Sequence, residues 1–292
     1  MTFISVLRRN LFGLFGALLF TNAIYASGYP LLVEPVWLNS HKAHNKFVIV
    51  DVRAPELYAK QHIKDAINID VEKTFGTGLN INRITSPAQI KTLLSQKGIK
   101  NTDYLIIYDN GELKDAAQFF WVMETYGHRR LSLLNGGIPM WLHLNYPTSQ
   151  IAKTLPPSNY FPMLNHHSIS TKLTTRLALN SPSEFLIDAR GHEEYVGQVS
   201  QAERFGHIPT AISIPSDLNL QTLDGLRVLK SKTQLKKLYI DIPKSSQSIT
   251  YCNRGKHSAL TYFVLRFLGY RVSVYDGAWL EWGNDPKLPI EK

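Results

Sequence analysis

Cysteine is almost missing from this chain: Cys252 is the only one in 292 residues. A single thiol cannot close an internal disulfide, and without a Cys-x-x-Cys pair there is no thiolate zinc site. Charged residues are sparse at 19%, against 44% hydrophobic, which excludes a disordered chain and leaves ample material for a packed core. Lysine and arginine are dispersed rather than interleaved with aromatics along one stretch, so no nucleic-acid partner is expected. The apolar run Leu11 to Phe20 falls well short of the roughly 20 residues a membrane span needs. It follows Arg8 and Arg9 and precedes Ile24-Tyr25-Ala26, the order of basic, apolar and small residues that marks an export signal. Residues 1–26 are therefore expected to direct the chain to a bacterial periplasm, with an uncleaved anchor as the alternative and no other membrane attachment.

That compartment raises the question of the thiol. Where disulfides form readily, a lone cysteine has no structural partner and is open to oxidation, so keeping one asks for a chemical role. The formal net charge of +9 favours small anions by long-range attraction.

What is present is a long internal repeat. Phe47-Val48-Ile49-Val50-Asp51-Val52-Arg53 and Phe185-Leu186-Ile187-Asp188-Ala189-Arg190 are apolar runs ending in Asp-x-Arg. His62-Ile63-Lys64-Asp65-Ala66-Ile67 and His207-Ile208-Pro209-Thr210-Ala211-Ile212 follow at similar distances. Tyr104 to Asp109 then parallels Ser248 to Cys252, and each leads into an amphipathic stretch closed by a glycine, Gly127 or Gly269. Trp141 and Trp282 each lie five residues past the first glycine of a turn, Gly136 or Gly277. Short apolar strands alternating with helical stretches predict an α/β fold: a parallel sheet flanked by helices, once in each copy. The expected division is a first domain over residues 31–146, a proline-bearing connection over 147–175, and a second domain over 176–292.

In such sheets ligands sit beyond the carboxyl ends of strands, where loops enter helices. Cys252 falls at such a place, with Asn253, Arg254, Gly255, Lys256, His257 and Ser258 behind it. Gly255 permits a backbone twist that turns N–H groups inward, and Arg254 and Lys256 add positive charge; all of these favour a thiolate, the nucleophilic form of sulfur. A buried strand-end cysteine is the alternative, against which this polar, cationic setting speaks. Nothing fixes the direction of His257, so a place in solvent stays open for it.

The two-domain layout, the Asp-x-Arg strand ends, the His-Ile-x-x-Ala-Ile turns and the glycine-to-tryptophan endings together resemble the tandem rhodanese (sulfurtransferase) family, over about Leu31 to Pro289. The resemblance implies a catalytic second domain with Cys252 as nucleophile and a non-catalytic first domain in which Asp109 holds the matching position. It also implies transfer of a sulfane sulfur from a small anionic donor such as thiosulfate to cyanide or another thiophilic acceptor; no cofactor or metal is expected, and two domains with their own cleft suit a monomer. Arg190 stands where that family has a substrate-binding arginine, and Arg254 where a lysine is frequent. A guanidinium suits a sulfonate-like pair of oxygens. The loop Cys-Asn-Arg-Gly-Lys-His is similar to exported single-domain members, and departs from the Cys-Arg-Lys-Gly-Val-Thr of thiosulfate enzymes and the Cys-Gly-Ser-Gly-Val-Thr of mercaptopyruvate enzymes. The alternatives are a mercaptopyruvate sulfurtransferase, which would have serine rather than Arg254, and a periplasmic persulfide carrier serving a protein partner. A cysteine phosphatase would need arginine six residues after the cysteine, where this chain has Ser258. Asp51 and His62 can reach a cleft between the domains in that family; ordering their own loops is the preferred expectation for both, and for Asp188.

Overall fold

The computed structural model describes residues 30–41, 47–77 and 83–292. The export signal expected over residues 1–26 lies outside them. Among the described residues no helix is long and apolar enough to cross a membrane.

The apolar runs form two five-stranded sheets, parallel throughout. The first contains β1 (Leu32–Val33), β2 (Val48–Asp51), β3 (Ile67–Asn68), β4 (Leu105–Tyr108) and β5 (Leu131–Leu134). The second contains β6 (Ile169–Ser170), β7 (Glu184–Asp188), β8 (Ile212–Ser213), β9 (Gln247–Tyr251) and β10 (Arg271–Tyr275). Their spatial orders, β1-β5-β4-β2-β3 and β6-β10-β9-β7-β8, are the same arrangement twice. All of β4 and β5 is buried, as continuous apolar strands covered on both faces should be. The stretch 147–175, expected as a bare connection, supplies the edge strand β6 and the start of a helix (Lys172–Ala178) to the second domain. A two-residue strand carries no periodicity, so only its pairing with β10 reveals it.

The repeated motifs explain each other once folded. In both copies the aspartate ending the second strand of its sheet faces the tyrosine ending the central strand, as Asp51↔Tyr108 and Asp188↔Tyr251. The arginine two residues on folds back onto that carboxylate: Arg53 Nη2 lies 2.5 Å from Asp51 Oδ2, and Arg190 Nη2 2.5 Å from Asp188 Oδ2. Tyr108 and Tyr251 donate their hydroxyls to the same carboxylates at 2.6 and 2.7 Å. Those hydroxyls accept the N–H of Ile63 or Ile208 at 3.0 and 3.1 Å, so the His-Ile turn is tied to the Asp-x-Arg strand end. His62 and His207 stack on Tyr58 and Tyr195 at 3.8 Å in the same way. Trp141 and Trp282 close each copy by donating to the carbonyls of Pro147 and Pro289.

Four helices matter for the site. Those preceding the central strands, α1 (Pro87–Gln96) and α3 (Lys232–Leu238), both open with a Ser-x-x-Gln capping box at Ser86 and Ser231. Those following the central strands, α2 (Lys114–Thr125) and α4 (Lys256–Leu268), pack directly against each other across the domain boundary. Phe120 and Phe263, each the eleventh residue after Asp109 or Cys252, meet edge to face at 5.1 Å. Glu124 accepts the Tyr262 hydroxyl at 2.6 Å and pairs with Arg266. One continuous apolar core runs through this contact from the first sheet to the second, so the two copies are fixed against each other by burial of large side chains, each worth about 1.5–3 kcal/mol.

A second tie comes from Arg83 and Ile84 of the first domain. Ile84 donates its N–H to Asp276 at 2.9 Å, and Arg83 pairs with Glu281 at 2.5 Å. Burial pushes the Asp276 carboxyl up to about 7, with Glu281 adding to the rise and the Ile84 N–H and Arg83 opposing it. The folded protein therefore holds a proton there that the unfolded chain releases near its ordinary value of 3.8, and stability from this group falls as pH rises from about 4 to about 7. Asp276→Asn cannot ionise, so its thermal midpoint should gain on wild type by several °C, on the order of one to a few kcal/mol, across that window. A difference independent of pH would contradict the assignment.

Candidate active site

Cys252 follows Tyr251 directly, and Tyr251 is anchored on the Asp188–Arg190 pair. The thiol is 3% exposed and opens on a cavity of about 470 Å³ lined by Glu72, Phe75, Gly76, Glu194, Gln201, Asn253, Arg254, Lys256 and His257. Cys252 Sγ accepts the N–H of Gly255 at 3.1 Å, and the Ser258 hydroxyl lies 3.4 Å away while its proton has the nearer Gly255 carbonyl at 2.8 Å as acceptor. Gly255 achieves this at φ +130°, a conformation side-chain-bearing residues rarely adopt. The chain then turns into α4, which begins at Lys256, two residues before Ser258, with its N-terminal N–H groups adding positive potential. The sulfur thus sits in a cradle of donors.

The first copy shows what that cradle holds when sulfur is absent. Asp109, at the position of Cys252, accepts N–H bonds from Gly111 at 2.8 Å and Leu113 at 3.1 Å on Oδ1, and from Ala116 at 3.1 Å on Oδ2. Burial still pushes it up to about 6 although the N–H groups of Ala116 and Gly111 favour its charge. The same strand-to-helix turn therefore receives an acid group in both domains, a carboxyl in one and a thiol in the other.

The loop side chains divide. Arg254 is exposed on the cavity wall, and among the described residues it makes no ion pair. Lys256 also lines the cavity, but its ammonium lies 2.7 Å from Glu72 and 2.8 Å from Asp115, both in the first domain. Burial works against the charge of Lys256, and those two carboxylates outweigh it and hold the pKa above the ordinary value. Its charge is therefore shared with those two carboxylates rather than wholly free for an incoming anion. Asn253 donates to Glu194 at 2.7 Å, fixing that carboxylate on the cavity wall. His257 faces the cavity, not open solvent; burial, seconded by Lys114, lowers its pKa and so favours the neutral ring.

Arg190 is not at the cavity. It is fully buried, paired with Asp188, donating to the Gly206 carbonyl at 2.8 Å and lying 4.3 Å over the Trp279 ring. Arg53 repeats the pairing in a domain with no thiol, which makes it scaffolding. Asp51 and His62 are likewise occupied, the first by Arg53 and Tyr108, the second by the carbonyls of Tyr58 and Ile151. Glu72, Phe75, Gly76, Glu194 and Gln201 went unseen in the sequence. Three come from the other domain and two from the turn after Arg190, and no local pattern marks them.

A two-domain α/β protein with a cradled thiol at a strand-to-helix turn is the class that fold and site define. The profile of the Rhodanese-like domain matches residues 34–144 and again 172–285, and the chain belongs to that family. A Mycobacterium bovis protein provisionally named a thiosulfate sulfurtransferase is 32% identical over 274 residues, 89% of this chain and 97% of its own. The thiosulfate sulfurtransferase of Pseudomonas aeruginosa is 28% identical over 91% of this chain and 98% of its own. Among solved structures, the anaerobic ergothioneine biosynthesis enzyme of Chlorobium limicola superposes with TM-score 0.80 at 22% identity, over 90% of this chain and 70% of that one. This last likeness concerns the fold.

The Lys256 geometry has a direct consequence. Glu72→Gln and Asp115→Asn each release part of the lysine charge toward the cavity. Each should lower several-fold the sulfate concentration that half-protects Cys252 from alkylation, since an exposed charge pair is worth up to about 1 kcal/mol. Protection unchanged in both variants would show that Lys256 does not reach the anion.

Proposed function

We propose that this protein is a thiosulfate sulfurtransferase acting through a persulfide on Cys252, with cyanide or another thiophile as acceptor. The observation that carries this reading is the cradle: the Gly255 N–H is aimed at Sγ at the start of a helix, and the same turn in the first domain holds the carboxyl of Asp109. A site built for an anionic atom at the strand end suits both a thiolate and the terminal sulfur of a persulfide. The names of the relatives support thiosulfate as donor.

The first step is attack by the Cys252 thiolate on the outer sulfur of thiosulfate. A new S–S bond forms as the bond to the sulfonate sulfur breaks, and that electron pair leaves with sulfite. The enzyme then carries Cys–S–S⁻. In the second step cyanide attacks the terminal sulfur, the S–S bond breaks, and the thiolate is regenerated as thiocyanate departs. No oxidant or reductant is consumed beyond the two substrates. Arg254, exposed at the wall, is the group available to bind sulfonate oxygens during the first step. The cavity has room beyond thiosulfate, so the acceptor need not be as small as cyanide. The periplasmic location expected from residues 1–26 is part of the same proposal.

Cys252→Ser should abolish thiocyanate formation from thiosulfate and cyanide while leaving the circular dichroism spectrum intact. Arg254→Ala should raise KM for thiosulfate about 10-fold or more, consistent with losing a charge-assisted contact of 1.5–3 kcal/mol, with less effect on KM for cyanide. Full turnover by the serine variant would eliminate the persulfide route.

A further inference from the structure

Gln118 projects from α2 of the non-catalytic domain and is 0% exposed. Neither its Oε1 nor its Nε2 has a hydrogen-bond partner among the described residues. An amide buried without partners costs free energy, and native structures retain such groups where something draws on them. What Gln118 faces is the sulfur loop: a Cβ built on Gly255 would stand 2.9 Å from its Oε1 and 3.6 Å from its Nε2. Gly255 is the residue whose N–H points at Cys252 Sγ and whose carbonyl accepts the N–H of Ala259 at 2.7 Å and the hydroxyl of Ser258 at 2.8 Å. An unmet amide from one domain therefore lies beside the glycine that cradles the sulfur in the other.

Loading changes what that peptide must do. In the thiolate that attacks, the charge is on Sγ. Once Cys252 carries a second sulfur, Sγ is neutral and the charge sits one S–S bond farther out, about 2 Å away. The Gly255 N–H then faces an uncharged atom unless its peptide turns toward the terminal sulfur. Glycine at φ +130° can make that turn, and turning moves the polar edges of the loop past Gln118, which has one acceptor and two N–H donors uncommitted.

We propose that Gln118 is a positioning residue for the sulfur-loaded enzyme: its amide takes up the loop groups released when the Gly255 peptide re-aims. The first domain then stabilises the persulfide form and not the free form. This inference rests on the persulfide reading of Cys252.

The test compares wild type with Gln118→Met, which keeps the length of the side chain and removes its donors and acceptor. Thermal midpoints are measured on the free enzymes and again after incubation with thiosulfate and desalting, with loading verified by thiocyanate released on adding cyanide. The free variant should unfold at the same temperature as wild type or higher. Loading should raise the wild-type midpoint by several degrees more than that of the variant, and the loaded variant should surrender its sulfur to cyanide several-fold faster. Gln118→Leu should follow the same pattern. An equal loading shift in both proteins, or a variant destabilised equally in both forms, would show that Gln118 is ordinary packing and overturn the inference. If neither protein releases thiocyanate, the persulfide reading itself fails and takes this inference with it.

Discussion

A buried carboxylate, gripped by a guanidinium with no solvent contact and by a tyrosine hydroxyl, fixes where the cysteine-bearing strand ends. Arg190, Asp188 and Tyr251 are all fully buried, and the residue after Tyr251 is Cys252. Removing either charged partner would leave the other buried and uncompensated, a loss of about 3–5 kcal/mol. Its geometry is therefore held firmly, and the strand end, the His207 turn and the first atom of the sulfur loop are held with it. The same trio recurs as Arg53, Asp51 and Tyr108, where no thiol follows. The scaffold is the same in both domains, and they differ in what hangs from it.

That divergence is concentrated at one position. Where the second domain presents sulfur to a cavity, the first buries the Asp109 carboxyl in its own backbone N–H groups. A domain sealed in this way presents no thiol, yet it still takes part in the site. Glu72 and Asp115 compensate Lys256, Phe75 and Gly76 line the cavity, and Gln118 backs the loop glycine. The packing of α2 on α4 and the Asp276 and Glu281 ties keep these groups in register with Cys252. The cavity is a product of both copies.

Much of this was legible in the sequence because it is local. Strand runs, the Asp-x-Arg and His-Ile motifs, the closing glycines and the lone cysteine each depend on near neighbours, and together they foretold two α/β copies and the loop that carries the thiol. Gly255 was readable for the same reason, since a positive φ is a property of one residue and its turn. Side-chain direction was not. Arg190 follows its strand as a substrate-binding arginine would, yet whether it points outward or back onto Asp188 depends on Tyr251 and Trp279, more than 60 residues away. Lys256 looked like a free cation because Glu72 and Asp115 lie in the other domain. Gln118 in α2 is one polar residue in an otherwise apolar stretch, and only its position against Gly255 gives it meaning. The short strand β6 escaped for want of length.

The central claim is that the cradled sulfur of Cys252 is the atom that receives the transferred one. Intact-protein and peptide mass spectrometry after incubation with thiosulfate tests it most directly. The expected result is one added sulfur atom, confined to the peptide containing Cys252 and lost on addition of cyanide. An unmodified Cys252 peptide in a preparation that turns thiosulfate and cyanide into thiocyanate would contradict it.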